Sequence, residues 1–454
     1  MVALRPGFLA ALLLTGLSGP MLAAEKPNAV LPSPPPAGAF ALPADRAEQA
    51  PAPQPQPATA ATAVKKPTLT FAPVSKDVRP TLSPATFIDT LRAAERYHAI
   101  AEAGGWGVLP KGAPIKVGDR GEPVMRLKER LAAEGDLDRR ALPGEVFDEA
   151  VLAAVKRFQA RHGLPETGLV GPKTIDAMNV PAAARARQLA ASAQRLAGTR
   201  FPFGERYVVV NIPSATVEAV EKGEVLRRYV AVVGKKDRAS PTLMARITEI
   251  NFNPNWTVPA SIVRKDIIPQ MRKDPEHLAR MKIRIFDGHG QEVDPKTIDW
   301  STDRAASYTL RQDPGAANSL GQIRIDMPNQ HAVYMHDTPS KKLFARNDRF
   351  HSSGCVRVGD VKSFVAWLLE GTSEGGPWNE AAIDAAIAAG HRQDVKLVRP
   401  VPVAWVYLTG FATPDGEAHF RDDVYGLDAE SASIPAGDPL VTSSVTRPMR
   451  PAPP

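Results

Sequence analysis

Apolar and polar positions follow two different rhythms along these 454 residues. From Thr86 to Ala103, Phe87, Leu91, Ala94 and Tyr97 recur at helical spacing and predict a helix. Between Pro114 and Val180 the same rhythm returns in short pieces. Val124, Leu127 and Leu131 mark one amphipathic helix. Phe147-Asp148-Glu149 opens a second, with Val151, Ala154, Val155 and Phe158 on one face and Gly163 as its stop. Gly171-Pro172-Lys173-Thr174 caps a third that carries Ile175 and Met178. Three short helices so close together predict a small bundle. A linking helix is expected from about Ala182 to Leu196.

Past residue 205 the period shortens. Tyr207-Val208-Val209-Val210-Asn211-Ile212 reads as a buried strand ended by Pro213. Glu221-Lys222-Gly223-Glu224 is a hairpin turn, and Leu226 to Val233 is the returning strand. Further strands are expected at Ile247 to Phe252, Gln322 to Met327, Ala332 to Met335 and Trp405 to Leu408. The fold class is therefore multidomain α+β, a helical bundle followed by a mostly antiparallel β domain. From about 259 to 303 the pattern turns helical and polar, with Ile262, Ile267 and Met271 at helical spacing. This predicts a helical cap inserted over the β domain.

The two ends of the chain follow neither rhythm. Arg5, the apolar run Phe8 to Leu17 and the small residues Leu22-Ala23-Ala24 read as a cleaved export signal over 1–24. The run is too short, and too broken by Gly16, Gly19 and Pro20, for a full membrane span. Membrane contact is expected only if that segment stays uncleaved. Export puts the mature protein outside the cytoplasm, and the expected location is the periplasm. Residues 25–85 are rich in Pro and Ala and predict an extended, disordered tether. Residues 429–454 are low in apolar content and predict a disordered tail. The remaining boundaries are a scaffold helix segment at 86–113, the bundle at 114–180, the linking helix at 181–204 and the β domain at 205–428.

Charge adds little. The net charge of +7 attracts anionic surfaces. No nucleic-acid-binding motif accompanies it, so nucleic acid is not expected as a partner.

Candidate chemistry centres on Cys355, the one cysteine. It cannot form an internal disulfide, so its presence in an exported chain needs another reason. It lies in Ser352-Ser353-Gly354-Cys355-Val356-Arg357, nineteen positions after His336. A thiol with an imidazole to deprotonate it is what acyl transfer through a thioester requires. Gly354 lets backbone amides approach a substrate carbonyl as an oxyanion hole. No His or Cys pairing at metal-ligand spacing is apparent, and no metal or other cofactor is expected.

Two resemblances sharpen this reading. Val117-Gly118-Asp119-Arg120-Gly121, Phe158-Gln159, His162-Gly163-Leu164 and Thr167-Gly168-Leu169-Val170-Gly171-Pro172-Lys173-Thr174 resemble the peptidoglycan-binding type 1 domain. His336 followed by Ser352-Ser353-Gly354-Cys355-Val356-Arg357 resembles the catalytic signature of the L,D-transpeptidase family, in its large periplasmic branch with an inserted cap. Ser353 stands where that signature usually has a second His. Several outer segments resemble the same branch: Asn253 to Pro259, Arg311 to Gly315, Tyr334 to Pro339 and Phe420 to Gly426.

The resemblance implies a β-sandwich catalytic domain and a role in peptidoglycan biosynthesis, cell wall biogenesis and cell shape. Cys355 would be the nucleophile, His336 the general base and acid, and Gly354 part of the oxyanion hole. Arg357, Ser353 and Trp256 would contact substrate. The donor would be a tetrapeptide stem that loses D-alanine, and the acceptor an amine on a neighbouring stem. Peptidoglycan stem peptides are thus the expected partners, and carbapenem-type β-lactams the expected inhibitors. An L,D-carboxypeptidase or crosslink-cleaving amidase using the same Cys-His pair remains open, as does a non-enzymatic wall-binding protein.

Overall fold

The structure, a computed structural model, describes residues 71–371 and 377–431. The expected export signal, most of the tether and the tail beyond 431 lie outside the described residues. Among the described residues no helix is long and apolar enough to cross a membrane.

The helical part contains α1 (Thr86–Glu102), α2 (Glu122–Ala133), α3 (Glu149–Arg161), α4 (Pro172–Met178) and α5 (Ala182–Leu196). The Asp148 carboxylate caps α3 by accepting from the Val151 N–H at 3.0 Å. Gly171-Pro172 starts α4 with proline in its first turn. The apolar stripes meet as expected: Val124, Leu127, Leu131, Val151, Val155, Phe158, Ile175 and Met178 form one buried core. The outer helices α1 and α5 share a second core, where Ala93, Tyr97, Ala186 and Leu189 pack with Phe420 from the end of the chain.

One arginine fastens the bundle to the rest. Arg161, the last residue of α3, binds the Asp136 carboxylate at 2.5 and 2.9 Å and Glu134 at 3.1 Å. Its remaining nitrogen donates to the Ala418 carbonyl at 2.6 Å. All three side chains are buried. Burial pushes the Glu134 carboxyl up, but Arg130 and Arg161 hold it below its ordinary value. Removing one partner strands buried charge, which typically costs 3–5 kcal/mol. Arg161→Ala is therefore expected to destabilise the protein by about 3–5 kcal/mol in urea unfolding. A loss below about 1 kcal/mol would put this cluster on the scale of a surface ion pair.

The β domain uses β1 (Arg206–Asn211), β2 (Thr216–Glu221), β3 (Glu224–Gly234), β4 (Leu243–Phe252), β5 (Trp256–Thr257), β6 (Ile283–Phe286) and β7 (Thr309–Gln312). It continues through β8 (Ile323–Asp326), β9 (Met335–His336), β10 (Phe350–Ser352), β11 (Val356–Val358) and β12 (Gln393–Val406), with α6 (Val361–Leu369) between the last two. The principal sheet runs β10-β3-β11-β9-β8-β4-β12-β1-β2, and β2 pairs back onto β3.

That last pairing closes the sheet, so the domain is a barrel and the expected sandwich is corrected. The cause is the length of β3. Its residues 224–230 pair with β2, while Ala231 and Val232 pair with β11. Apolar runs buried on both faces suit either architecture, so the periodicity alone did not separate them. Three pairings are parallel: β1 with β12, β3 with β10 and β9 with β11. Inside lie Val208, Val217, Ala231, Phe252, Ile325, Met335, Val356 and Trp405, together with Phe364 and Leu368 of α6. Strand β12 is longer than the expected Trp405 to Leu408, because a register shift between Lys396 and Val401 breaks its alternation.

Two further expectations change. The tether was expected to run to 85, yet residues 71–85 lie along the barrel. The Val78 carbonyl accepts from Val225 N–H at 2.7 Å, and Leu82 O accepts from the Tyr207 hydroxyl at 3.0 Å. Thr81 donates twice to the buried Glu218 carboxylate. Arg228 pairs with Glu218 at 2.9 Å and donates to the carbonyls of Ser75, Asp77 and Arg79. A strap without regular structure thus has its backbone satisfied by side chains, which no periodicity announces. The cap is mixed rather than helical. Strands β5, β7 and β6 form a small sheet, and Val263, Ile267, Met271, Leu278, Ile285 and Leu310 fill a core of its own. These strands have two to four residues each, too few for a readable alternation.

Candidate active site

Parallel pairing of β9 with β11 builds the site. Met335 lies opposite Val356 and His336 opposite Arg357. Met335 and Val356 point into the barrel core. By strand alternation His336 and Arg357 share the other face, and Tyr334 and Cys355 immediately precede the two strands. On the far side of β9, Arg324 of β8 stands opposite His336. His336 on β9 and Cys355, the residue just before β11, nineteen apart in sequence, are thereby brought to neighbouring segments.

The loop carrying Cys355 is held from both sides. Ser240 donates to the Gly354 carbonyl at 2.7 Å, and Lys235 N–H to Ser352 O at 3.0 Å. The Ser352 hydroxyl donates to the Cys355 carbonyl at 2.5 Å and accepts from Gly354 N–H at 3.2 Å. Gly354 has φ 115°, a conformation that a side chain rarely adopts, although there is room for a Cβ. The requirement for glycine is thus conformational. Gly354 N–H is occupied by Ser352 in this structure.

The thiol interacts with the Tyr334 backbone amide. The ring of His336 is held by the carbonyls of Asp337, through Nδ1, and of Leu320. A neutral imidazole that donates from Nδ1 leaves Nε2 as its basic nitrogen. Burial pushes the Cys355 thiol up to about 11, against smaller opposing effects of the Tyr334 amide, Arg324 and Arg357. Burial and the nearby Arg357 push His336 down to about 3. Near neutral pH both groups are therefore uncharged. Iodoacetamide consumes the thiolate, so its rate with Cys355 should keep rising with pH towards an apparent pKa of about 11. A plateau by about pH 8 would instead reveal a resting thiolate.

The remaining expected residues fall around this face. Arg357 is half-buried, makes no ion pair among the described residues and leaves its Nε without a hydrogen-bond partner. Ser353 is exposed and accepts from Arg238 at 3.1 Å. Trp256, in β5 of the cap, hydrogen-bonds the Tyr334 side chain and so connects the cap to the catalytic face. His351 lies apart, with Nε2 3.3 Å from the Asp348 carboxylate.

Two arginines were not singled out from the sequence. Arg324 lies 4.7 Å from the centroid of the Tyr334 ring and pairs with Asp326. Arg238 binds Asp266 of the cap as well as Ser353. Neither belongs to a motif. An arginine in a strand that runs beside the His segment was the only available signal.

Two family models match segments of this chain. Residues 205–378 match the L,D-transpeptidase catalytic domain known as YkuD, and residues 120–178 match the "Putative peptidoglycan binding domain". Residues 205–378 are thus similar to an L,D-transpeptidase catalytic domain, and the segment before them is similar to a peptidoglycan-binding domain. A curated relative from Haemophilus influenzae, described as "Putative L,D-transpeptidase", is 32% identical over 245 residues. The match covers 54% of this chain and 48% of that protein, so the chain spans about half of its relative.

Solved structures with some likeness include an L,D-transpeptidase from Xylanimonas cellulosilytica. It is 16% identical, covering 65% of this chain and 98% of that one, with a TM-score of 0.21. Another is LdtMt1 in complex with imipenem. It is 15% identical, covering 44% and 59%, also with a TM-score of 0.21. At such scores neither structure carries an argument about this one.

Proposed function

We propose that this protein crosslinks peptidoglycan stem peptides by L,D-transpeptidation, with Cys355 as nucleophile and His336 as general base and acid. The observation that carries the reading is the β9–β11 register, which sets His336 opposite Arg357, two residues from the Cys355 thiol. The match to the catalytic domain family over residues 205–378 supports it.

The resting thiol and imidazole are both neutral, so proton transfer accompanies attack. Attack requires the Cys355 Sγ to leave the Tyr334 amide and give its proton to Nε2 of His336. Sγ adds to the carbonyl between the third and fourth residues of a tetrapeptide donor while Nε2 takes the thiol proton. Backbone N–H groups at Gly354 and Cys355 stabilise the oxyanion, Gly354 exchanging its Ser352 contact for substrate. The C–N bond breaks, the proton passes from His336 to the departing amine, and D-alanine leaves. The amine of a second stem then attacks the thioester and returns the thiol. Arg357, unpaired on the same face, binds a substrate carboxylate, while Ser353 and Trp256 line the cleft.

The same thiol is the target of β-lactams. The reading also places the protein in the periplasm, where its substrate lies.

Mass spectrometry after mixing the protein with disaccharide tetrapeptides tests the reaction. A crosslinked dimer lacking one D-alanine is the expected product. Tripeptide alone would make the protein an L,D-carboxypeptidase, and unchanged substrate would overturn both.

A further inference from the structure

The turn that follows β3 meets the nucleophile loop at three successive residues. Lys235 N–H donates to Ser352 O at 3.0 Å, Arg238 to the Ser353 hydroxyl at 3.1 Å, and the Ser240 hydroxyl to Gly354 O at 2.7 Å. The turn is itself well fixed. Gly234 N–H donates to the Ser240 hydroxyl at 2.9 Å. The Tyr425 hydroxyl donates to Gly234 O at 2.6 Å and accepts from Ser240 N–H at 3.2 Å. A Cβ on Gly234 would lie 2.4 Å from the Arg238 carbonyl oxygen, so this close return of the chain requires glycine there.

Through Arg238 the same turn reaches the cap. Its two terminal nitrogens grip both oxygens of the Asp266 carboxylate, Nη2 at 2.8 Å. Asp266 lies in the helical stretch Val263–Ile267, whose Val263 and Ile267 are buried in the core of the cap. This is more than a surface ion pair. The Arg238 side chain is only 13% exposed, and the fork fixes direction as well as distance. The neighbouring acid Asp237 stays 4.0 Å from Nε and is held by Lys235 at 3.3 Å. Nη1 serves Asp266 and Ser353 at once. Because the Ser353 oxygen accepts from Arg238, its hydroxyl hydrogen is left to donate elsewhere.

We propose that Arg238 is a positioning residue for the reaction at Cys355. It ties the placement of the cap, through Asp266, to the orientation of the Ser353 hydroxyl two residues before the thiol. Arg238 itself touches no reacting atom. Held this way, Ser353 offers its O–H to a carbonyl or carboxylate oxygen of the stem peptide. Without Asp266 the guanidinium loses the partner that aims it, and Ser353 turns freely. The inference rests on the reading of Cys355 as nucleophile and of the space beside the cap as the donor cleft.

Steady-state kinetics with disaccharide tetrapeptide test it. Arg238→Ala and Asp266→Ala are each expected to lower kcat/KM at least about tenfold, the scale of a misplaced binding group. The double variant should be no worse than either single one, because the two act as a unit. Ser353→Ala should cost nothing further in the Arg238→Ala protein, and Arg238→Lys should recover part of the loss. Alkylation of Cys355 by iodoacetamide needs neither cap nor Ser353, so its rate should stay within about twofold in every variant. Wild-type kcat/KM in the single variants would overturn the proposal. So would losses that simply add, or a parallel loss of alkylation, which would mark a collapsed loop. A wild-type protein that neither crosslinks nor is acylated by a carbapenem would instead overturn the catalytic reading, and this inference with it.

Discussion

Cys355→Ala is expected to abolish both crosslinked product and the mass increase caused by a carbapenem, leaving a folded protein. The two halves of this expectation have different origins. The chemistry passes through Sγ, and no other cysteine exists to replace it. Losing a covalent nucleophile typically costs 10⁴-fold or more in rate. The fold depends little on that sulfur. Cys355 is half-buried, and the hydrogen bonds that hold its loop are made by Ser352, Ser240 and backbone groups. Truncation to Ala therefore removes one atom from a loop fixed by others, at a cost of about 1 kcal/mol or less. Cys355→Ser is the more demanding control, since a hydroxyl fits the space and His336 stays in place. Product from the Ala variant at even a hundredth of the wild-type rate would remove Cys355 from the nucleophile role.

The candidate site was legible where its proposed chemistry demands rare residues close together. A single thiol beside Gly354, with His336 at a strand end, is conspicuous in any chain. The parts that were not legible depend on pairing between distant segments. Strand β9 has two residues, and its neighbour β11 has three. Only their register shows that Arg357 opposes His336, and that Arg324 opposes it from the other side. Arg238 is a similar case. It sits in a short turn after β3 and gains meaning only when the cap folds down to offer Asp266.

The fold divides along the same line. Helices α2 to α4 were readable because their stripes repeat over whole turns and their ends carry Asp148, Gly171 and Pro172. Closure of the barrel was not, because it rests on one long strand serving two partners. The strap escaped for a different reason. Its anchors, Arg228 and Glu218, are charged residues in strands, positions that usually read as solvent-facing. Glu218 is instead buried beneath the strap and paired.

His336→Ala is expected to slow transpeptidation by about 10²- to 10⁴-fold, the usual size of a general-base contribution. With Cys355 at about 11, the thiol is almost wholly protonated at neutral pH, and without an imidazole only the rare thiolate reacts. The variant should therefore regain rate as pH rises towards 11. The wild type should stay nearly flat from about pH 5 to 9, where neither group titrates. Stability provides an independent check with a definite sign. His336 has a folded pKa of about 3, below its ordinary value of 6.5. As pH falls below about 6.5 the unfolded chain binds the proton first, so the stability this group contributes is full above 6.5 and is lost on the way to 3. His336→Ala removes that liability, so its stability should fall less steeply than that of the wild type between pH 6.5 and 3. A wild-type rate that instead follows a single ionisation near pH 6.5 would mean that His336 is not held neutral by its burial. A variant with near-normal rate at neutral pH would require a different base.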